Sequence, residues 1–277
     1  MANISVIGLG IIGSIWAKLY AEDGHTVRAW NRTPKPNFPG FEEDLTRAVR
    51  DAEFVHICVS DPDAVRSVLD KVLPHLDPAA VVIQSSTISP EAAKSFAEEV
   101  NAVASYLEAP FTGSKPAASS RGVVFYLGGE DETVRRAEKV IQRLSKMRFP
   151  IGKPEHAAAI KLSMNLQIAA ISQALTEGWH LARSYGLAHE DFYKILRENV
   201  AHSGLAELKE PKLRDGDESP QFSIKHMDKD LRLALEAGKG LDLSLTKASK
   251  KIYEAGLAEG YGDLDFIALQ RLICPDG

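Results

Sequence analysis

Apolar residues in the first half of the chain fall in short, nearly continuous runs. "ISVIGL" (4–9), "TVRAW" (26–30), "FVHICV" (54–59), "AVVIQS" (80–85), "SYLEAPF" (105–111) and "VVFYLG" (123–128) are rich in Val, Ile, Phe and Tyr. Runs that are apolar on both faces read as strands buried between two layers. Helical periodicity occupies 11–22, 42–50, 62–73 and 90–100 between them, and 131–146 after the last. That alternation predicts a largely parallel sheet with helices on both sides. Beyond about residue 152 the pattern changes. One long Ala- and Leu-rich helix is expected from Glu155 to Tyr185, closed by Gly186 as a left-handed cap. Its run "HAAAIKLSMNLQIAAISQAL" is apolar nearly all round, so it lies inside protein or membrane, and Lys161, Asn165 and Gln167 favour protein. Further helices are expected at 189–200, 223–239 and 244–259. The predicted fold class is α/β: a parallel-sheet domain over 1–153, then an all-α domain over 154–277, joined by the long central helix.

Composition narrows the class. The 277 residues carry 33 basic and 38 acidic side chains, a net charge of −5, which speaks against a general nucleic-acid binder. No apolar stretch reaches the roughly 20 residues a bilayer-spanning helix needs. No export leader is visible, and a cytoplasmic setting is expected. Cys58 lies in an apolar run, and with Cys274 it shows no metal or redox spacing, so no metal site is expected.

The stretch Gly8-Leu9-Gly10-Ile11-Ile12-Gly13 fits G-x-G-x-x-G, a weak signal alone. Here it ends a predicted strand and opens a predicted helix, the context that the dinucleotide fingerprint requires. Gly8 allows the tight turn, Gly10 lets backbone approach a pyrophosphate, and Gly13 lets helix and strand pack closely. A ligand-free glycine turn is the plainer alternative. The second strand should end beside the adenosine ribose, where an acid would repel a 2′-phosphate. This chain has Asn31, Arg32 and Thr33 there. The arginine fork grips phosphate and the threonine adds a donor, which predicts NADP(H), unless Arg32 is merely a solvated surface side chain.

Three further segments carry polar groups at the carboxyl ends of strands. In "SSTISP" (85–90), Thr87 is expected to face the cofactor, while Ser89 serves as a helix cap before Pro90. Val59 and Ser60 occupy the equivalent end of the preceding strand, with Asp61 as a cap. In "EAPFTGSKPAASSRG" (108–122), Thr112, Gly113 and Ser114 offer hydroxyl and N–H donors to a small carboxylate, or form a mere surface loop. Finally, Lys161 and Asn165 share a face of the long helix. Lys161 either snorkels outward or donates a proton to a carbonyl oxygen as hydride arrives, with Asn165 holding the lysine or that oxygen.

Taken together, "VIGLGIIG" (6–13), "EAPFTGS" (108–114), "KLSMN" (161–165), "FSIKHMDKDLRLAL" (222–235) and "GYGDLDFIAL" (260–269) resemble the β-hydroxyacid dehydrogenase family over nearly the whole chain. Within it the chain is most similar to glyoxylate and succinic semialdehyde reductases. The resemblance implies a Rossmann-like NADP-binding domain followed by a helical substrate and dimerisation domain. It implies NADPH, a small carboxylate substrate, Lys161 as proton donor, and substrate contacts from Thr112, Gly113, Ser114 and Asn165. It further implies a nicotinamide-side contact from Lys229, a pocket wall at Phe222, and a homodimer. The alternative for Lys229 is a solvated helix position one turn from Lys225.

Three departures stand out. "PEHAAAIK" replaces the glycines usual before the catalytic lysine; Thr112 replaces a serine; and only 17 residues separate Thr33 from Asp51. The last cannot hold a full helix, strand and second helix, so a trimmed edge with one helix at 42–50 is expected. The expected activity is NADPH-dependent reduction of small aldehyde or keto acids such as glyoxylate or succinic semialdehyde, or the reverse oxidation of 3-hydroxyacids. Two alternatives stand beside it: an imine reductase of the same architecture, and a catalytically silent NADP-binding interaction module.

Overall fold

The structure is a computed structural model, described here for residues 1–273; Cys274 lies outside the described residues. The chain divides into two compact units, Met1–Leu162 and Ser163 onward.

The first unit begins β1 (Asn3–Ile7), α1 (Ile11–Glu22), β2 (Thr26–Trp30), α2 (Leu45–Val49), β3 (Phe54–Ile57), α3 (Pro62–Val72), β4 (Val81–Gln84), α4 (Pro90–Asn101) and β5 (Ser105–Glu108). It continues with β6 (Phe111–Thr112), α5 (Lys115–Ser119), β7 (Val123–Gly128), α6 (Asp131–Ile141), β8 (Ser145–Gly152) and the start of α7 (Pro154–Ser184). The sheet runs β2-β1-β3-β4-β5-β7-β6, with β8 on β7. The first five strands are parallel; β7 is antiparallel to β5 and β6 and parallel to β8. Successive strand residues feed opposite faces. Val6 joins Trp16, Phe125 and Val140 in one core, while Ile7 joins Val55, Val68 and Phe96 in the other.

Several expected boundaries shift. The strand expected at 105–111 is interrupted at Pro110, which has no N–H to give, and Phe111–Thr112 turns back to pair with β7. The loop expected at 108–122 therefore contains β6 and α5. The helix expected to 146 stops at Ile141, and β8 follows a single turn over Gln142–Leu144. Lys146, Arg148 and Pro150 hid this strand by breaking its apolar run, and an edge position tolerates all three. The shortened 34–50 segment keeps one vestige of a strand: Phe41 bridges Ala29 in parallel. Its helix covers only 45–49, capped by Asp44, whose carboxylate accepts from the Thr46 and Arg47 N–H groups.

The second unit holds the rest of α7, then α8 (His189–Arg197), α9 (Gly204–Asp215), α10 (Ile224–Ala237), α11 (Ser244–Ala258) and a 3-10 turn over Phe266–Leu272. Gly186 (φ +85°) closes α7, and the Leu187 N–H returns to the Ala182 carbonyl. Helix α9 lies in the domain expected to be all-helical, but no helix was placed at its position. Its inner face is Ala206, Lys209, Lys212 and Leu213, so two lysines erase the apolar stripe that periodicity would detect. Lys209 is buried against Asp265 (2.7 Å), and Lys212 against Asp217 (2.8 Å). Among the described residues, no helix is long and apolar enough to cross a membrane.

Candidate functional site

The glycine loop has the shape that its residue types demand. Gly8 adopts φ +105°, and a Cβ there would sit 2.2 Å from the Cys58 carbonyl oxygen. A Cβ on Gly13 would sit 1.9 Å from the Gly8 carbonyl oxygen, so strand and helix can approach only with hydrogen at that position. Gly10 differs. It caps α1, no side chain caps that end, and nothing of the chain lies within 4 Å of where its Cβ would be. The open side of Gly10 and the unpaired N–H groups of the first helical turn form a cradle fitted to a pyrophosphate. Leu9 is buried in the core, Ile12 is half-buried and Ile11 is exposed.

Asn31 does more than lack a charge. Its Oδ1 accepts from the Leu9 N–H (2.8 Å) and its Nδ2 donates to the Thr33 carbonyl (2.8 Å), so it struts the glycine loop against the turn after β2. Lys35, which sequence reading passed over, donates from Nζ to the Leu9 carbonyl (2.5 Å) from the other side. Arg32 and Thr33 are exposed, and the Arg32 guanidinium has no protein partner among the described residues.

Two buried polar chains organise the loops beyond β3, β4 and β5, and periodicity gave no sign of either. In one, Ser85 donates to the Ala109 carbonyl (2.7 Å), which makes its oxygen the acceptor for His56 Nε2 (2.9 Å) and leaves Nδ1 to accept from Tyr20 (2.9 Å). His56 also stacks on Trp16 at 4.8 Å, and burial pushes its pKa down to about 3, so it stays neutral. In the other, the Glu108 carboxyl accepts from Gln84 Nε2 (3.0 Å) and Tyr106 (2.5 Å). Burial pushes Glu108 up to about 8, against the pull of those two hydrogen bonds. Gln84 also meets both backbone groups of Ser86, and Ser86 Oγ accepts from the Val59 N–H (2.8 Å). Val59 is thereby tied to the segment leading to half-buried Thr87. Ser60 instead donates to its neighbour Asp61, which caps α3, and Ser89 caps α4.

The β6–β7 hairpin carries the expected substrate loop. Gly113 takes φ +132° with Ala117 and Val123 crowding its Cβ position, and Ser114 precedes α5. The Thr112 hydroxyl meets the Tyr126 hydroxyl at 3.0 Å. Lys161, buried to 9 % exposure on α7, holds its ammonium 5.8 Å from the centre of the Phe111 ring. The lysine and the residue preceding Thr112 are therefore neighbours in space. Ala157 and Ala158, in place of the usual glycines, are buried.

In the second unit, Asn165, one turn along α7 from Lys161, donates to Asp230 Oδ2 (2.5 Å), while Lys229 Nζ pairs with Asp230 Oδ1 (2.8 Å). Asp230 is 1 % exposed and joins two residues that sequence reading singled out separately. Its only sequence signal was adjacency to Lys229 in "KHMDKDL". Lys225, not Lys229, takes the solvated position, paired with Asp263. Phe222 is half-buried, stacked with His226 and edge-on to Phe266, and its N–H is held by Asp265. Among the described residues there is no metal-ligating cluster.

Residues 3–152 match the family described as the NAD binding domain of 6-phosphogluconate dehydrogenase, and 156–273 that described as the NAD-binding of NADP-dependent 3-hydroxyisobutyrate dehydrogenase. Arabidopsis thaliana glyoxylate/succinic semialdehyde reductase 1 is 27% identical, over 96% of each chain. The mouse cytokine-like nuclear factor N-PAC is 26% identical over 97% of this chain, which spans 50% of that protein's length. Mycobacterium tuberculosis 3-hydroxyisobutyrate dehydrogenase, solved with L-serine, superposes with a TM-score of 0.89 at 25% identity, covering 99% of both chains. An imine reductase from Pseudomonas sp. shares the fold at a TM-score of 0.65 and 19% identity, over 98% of this chain and 99% of its own.

Proposed function

The chain belongs to the β-hydroxyacid dehydrogenase family, and from that membership we propose that it is an NADPH-dependent reductase of small aldehyde and keto acids. It is an NAD(P)-binding oxidoreductase by family; the phosphate preference and the substrate class are the finer reading. When bound, the cofactor supplies hydride to the carbonyl carbon. Lys161 gives a proton to the carbonyl oxygen as charge develops there, and its ammonium stabilises that charge beforehand. Thr112, Gly113 and Ser114 hold the carboxylate, Asn165 shares the substrate oxygen, and Phe222 walls the pocket. Lys229, with Asp230 fixing it, serves the nicotinamide side. Gly8 to Gly13, Asn31, Thr33, Val59, Ser60 and Thr87 shape the nucleotide site, and Arg32 takes the 2′-phosphate.

The observation carrying this reading is the buried Lys161 ammonium beside Phe111, next to the Thr112 hydroxyl loop. The Arabidopsis relative supports glyoxylate or succinic semialdehyde as the substrate class. A cytoplasmic setting and a homodimer belong to the proposal; the dimer is supported by exposed apolar side chains such as Leu181, Tyr185 and Leu187 in the second unit. The test is an NADPH-oxidation panel of glyoxylate, succinic semialdehyde and one cyclic imine, run on wild type and Lys161→Ala. A general acid is worth roughly 10²–10⁴ in rate. The variant should lose that much turnover on the acids while still binding NADPH. Turnover of the imine alone would remove the substrate assignment, and undiminished turnover by the variant would remove the lysine from the mechanism.

A further inference from the structure

The hairpin formed by β6 and β7 holds a feature that the reading above leaves unused. In the register of this hairpin Thr112 lies opposite Val124, and Tyr126 lies two residues further along the same face. The two hydroxyls meet at 3.0 Å, and both residues are half-buried. Each hydroxyl has one proton and two lone pairs. Their mutual hydrogen bond uses one proton of the two. Among the described residues neither oxygen has another side-chain or backbone partner, so one O–H is left without a protein acceptor.

The chemistry of the pair says which proton that is. A phenol O–H is the stronger donor, and an aliphatic hydroxyl oxygen is the better acceptor. The favoured arrangement has Tyr126 donating to Thr112 Oγ1, which leaves the Thr112 proton aimed away from the tyrosine. Accepting that bond also polarises the Thr112 hydroxyl and strengthens its own donation. Threonine adds stiffness, because its β-branch restricts χ1 and so fixes where the oxygen lies. A polarised, oriented hydroxyl with a spare proton, next to the turn at Gly113, is suited to an anionic oxygen.

We propose that Tyr126 is the specificity-setting positioning residue of this site. It orients and polarises the Thr112 hydroxyl, and so selects carbonyl substrates that carry a carboxylate over uncharged carbonyls of the same length. This deepens the proposed function and rests on it; the step is binding only, with no bond made or broken by the tyrosine.

Tyr126→Phe removes one oxygen from a half-buried position and leaves the ring, so the fold should survive; the thermal midpoint and NADPH affinity serve as controls. The assay compares kcat/KM for succinic semialdehyde with that for butyraldehyde, which has the same carbon chain without the carboxylate. Loss of a charge-assisted donor network should lower the first roughly 10-fold, mainly through KM, and leave the second within about 2-fold. In a Thr112→Val background, Tyr126→Phe should add nothing further, because both changes break one chain of donors. Equal losses on both substrates, no loss on either, or full additivity with Thr112→Val would each overturn the proposal. Titrating succinate into the NADPH-loaded protein separates this from failure of the parent reading. If wild type turns over no carbonyl acid, a roughly 10-fold weaker succinate affinity in Tyr126→Phe still supports the tyrosine's role, and unchanged affinity refutes it.

Discussion

Replacing Glu108 by Gln should flatten the pH dependence of stability. Glu108 is fully buried, and its carboxyl accepts from Gln84 and Tyr106. Burial raises its pKa from 4.5 to about 8, so at neutral pH it is mainly protonated in the folded chain and ionised in the unfolded one. A raised folded-state pKa makes its contribution fullest below the unfolded value; the loss begins near pH 4.5 and is complete once pH exceeds about 8. At 1.36 kcal/mol per pKa unit, the loss between pH 5 and 8 is roughly 3 kcal/mol. Glutamine has the same shape, accepts from Gln84 through its carbonyl, and turns an N–H to the Tyr106 oxygen. It does not titrate. Urea unfolding of both proteins across pH 5 to 8 isolates the effect, since every other titrating group cancels in the difference. The stability of Glu108→Gln relative to wild type should rise by roughly 3 kcal/mol across that range. A difference that stays constant with pH would show that Glu108 ionises normally and that its carboxylate is not held neutral.

Three other perturbations test separate parts of the molecule. Gly13→Ala drives a Cβ against the Gly8 carbonyl and should cost more than about 2 kcal/mol in thermal or urea unfolding, whereas Gly10→Ala should melt normally but bind NADPH at least roughly 10-fold more weakly by fluorescence titration. Arg32→Ala should raise the NADPH dissociation constant roughly 10- to 100-fold, the worth of a charged phosphate contact, and leave NADH affinity unchanged; equal effects on both would take the 2′-phosphate away from this residue. Asp230→Asn removes the charge shared by Asn165 and Lys229, and should lower turnover roughly 10-fold or more while NADPH binding is retained; wild-type rates would show that neither group depends on it.

What could be read from the sequence follows a physical division. Elements whose apolar residues face one core repeat at a period of two or 3.6, and these were legible: the parallel strands, the helices between them, and α7 down to its glycine cap. So were positions where only one residue type fits, as at Gly8 and Gly13. Elements whose inward face is polar were not. Helix α9 buries Lys209 and Lys212, and the edge strand β8 is half-exposed and interrupted by charge and proline. The same division runs through the site. Lys161 and Asn165 announced themselves as polar residues in an apolar helix. Glu108 and His56 also interrupt apolar runs, yet the pattern said nothing of what they do, and for Asp230 and Tyr126 it gave no contrast at all, because each of the four is held by a partner elsewhere in the chain. Glu108 answers Gln84, 24 residues back; His56 answers Tyr20, 36 back; Asp230 answers Asn165, 65 back. A pairing of that kind is a property of three-dimensional register, and a one-dimensional pattern carries no trace of it. The groups proposed to meet a ligand are thus more visible in this chain than the groups that hold them in place, and substitutions in the second class are the ones whose effects a reading of the motifs alone would fail to anticipate.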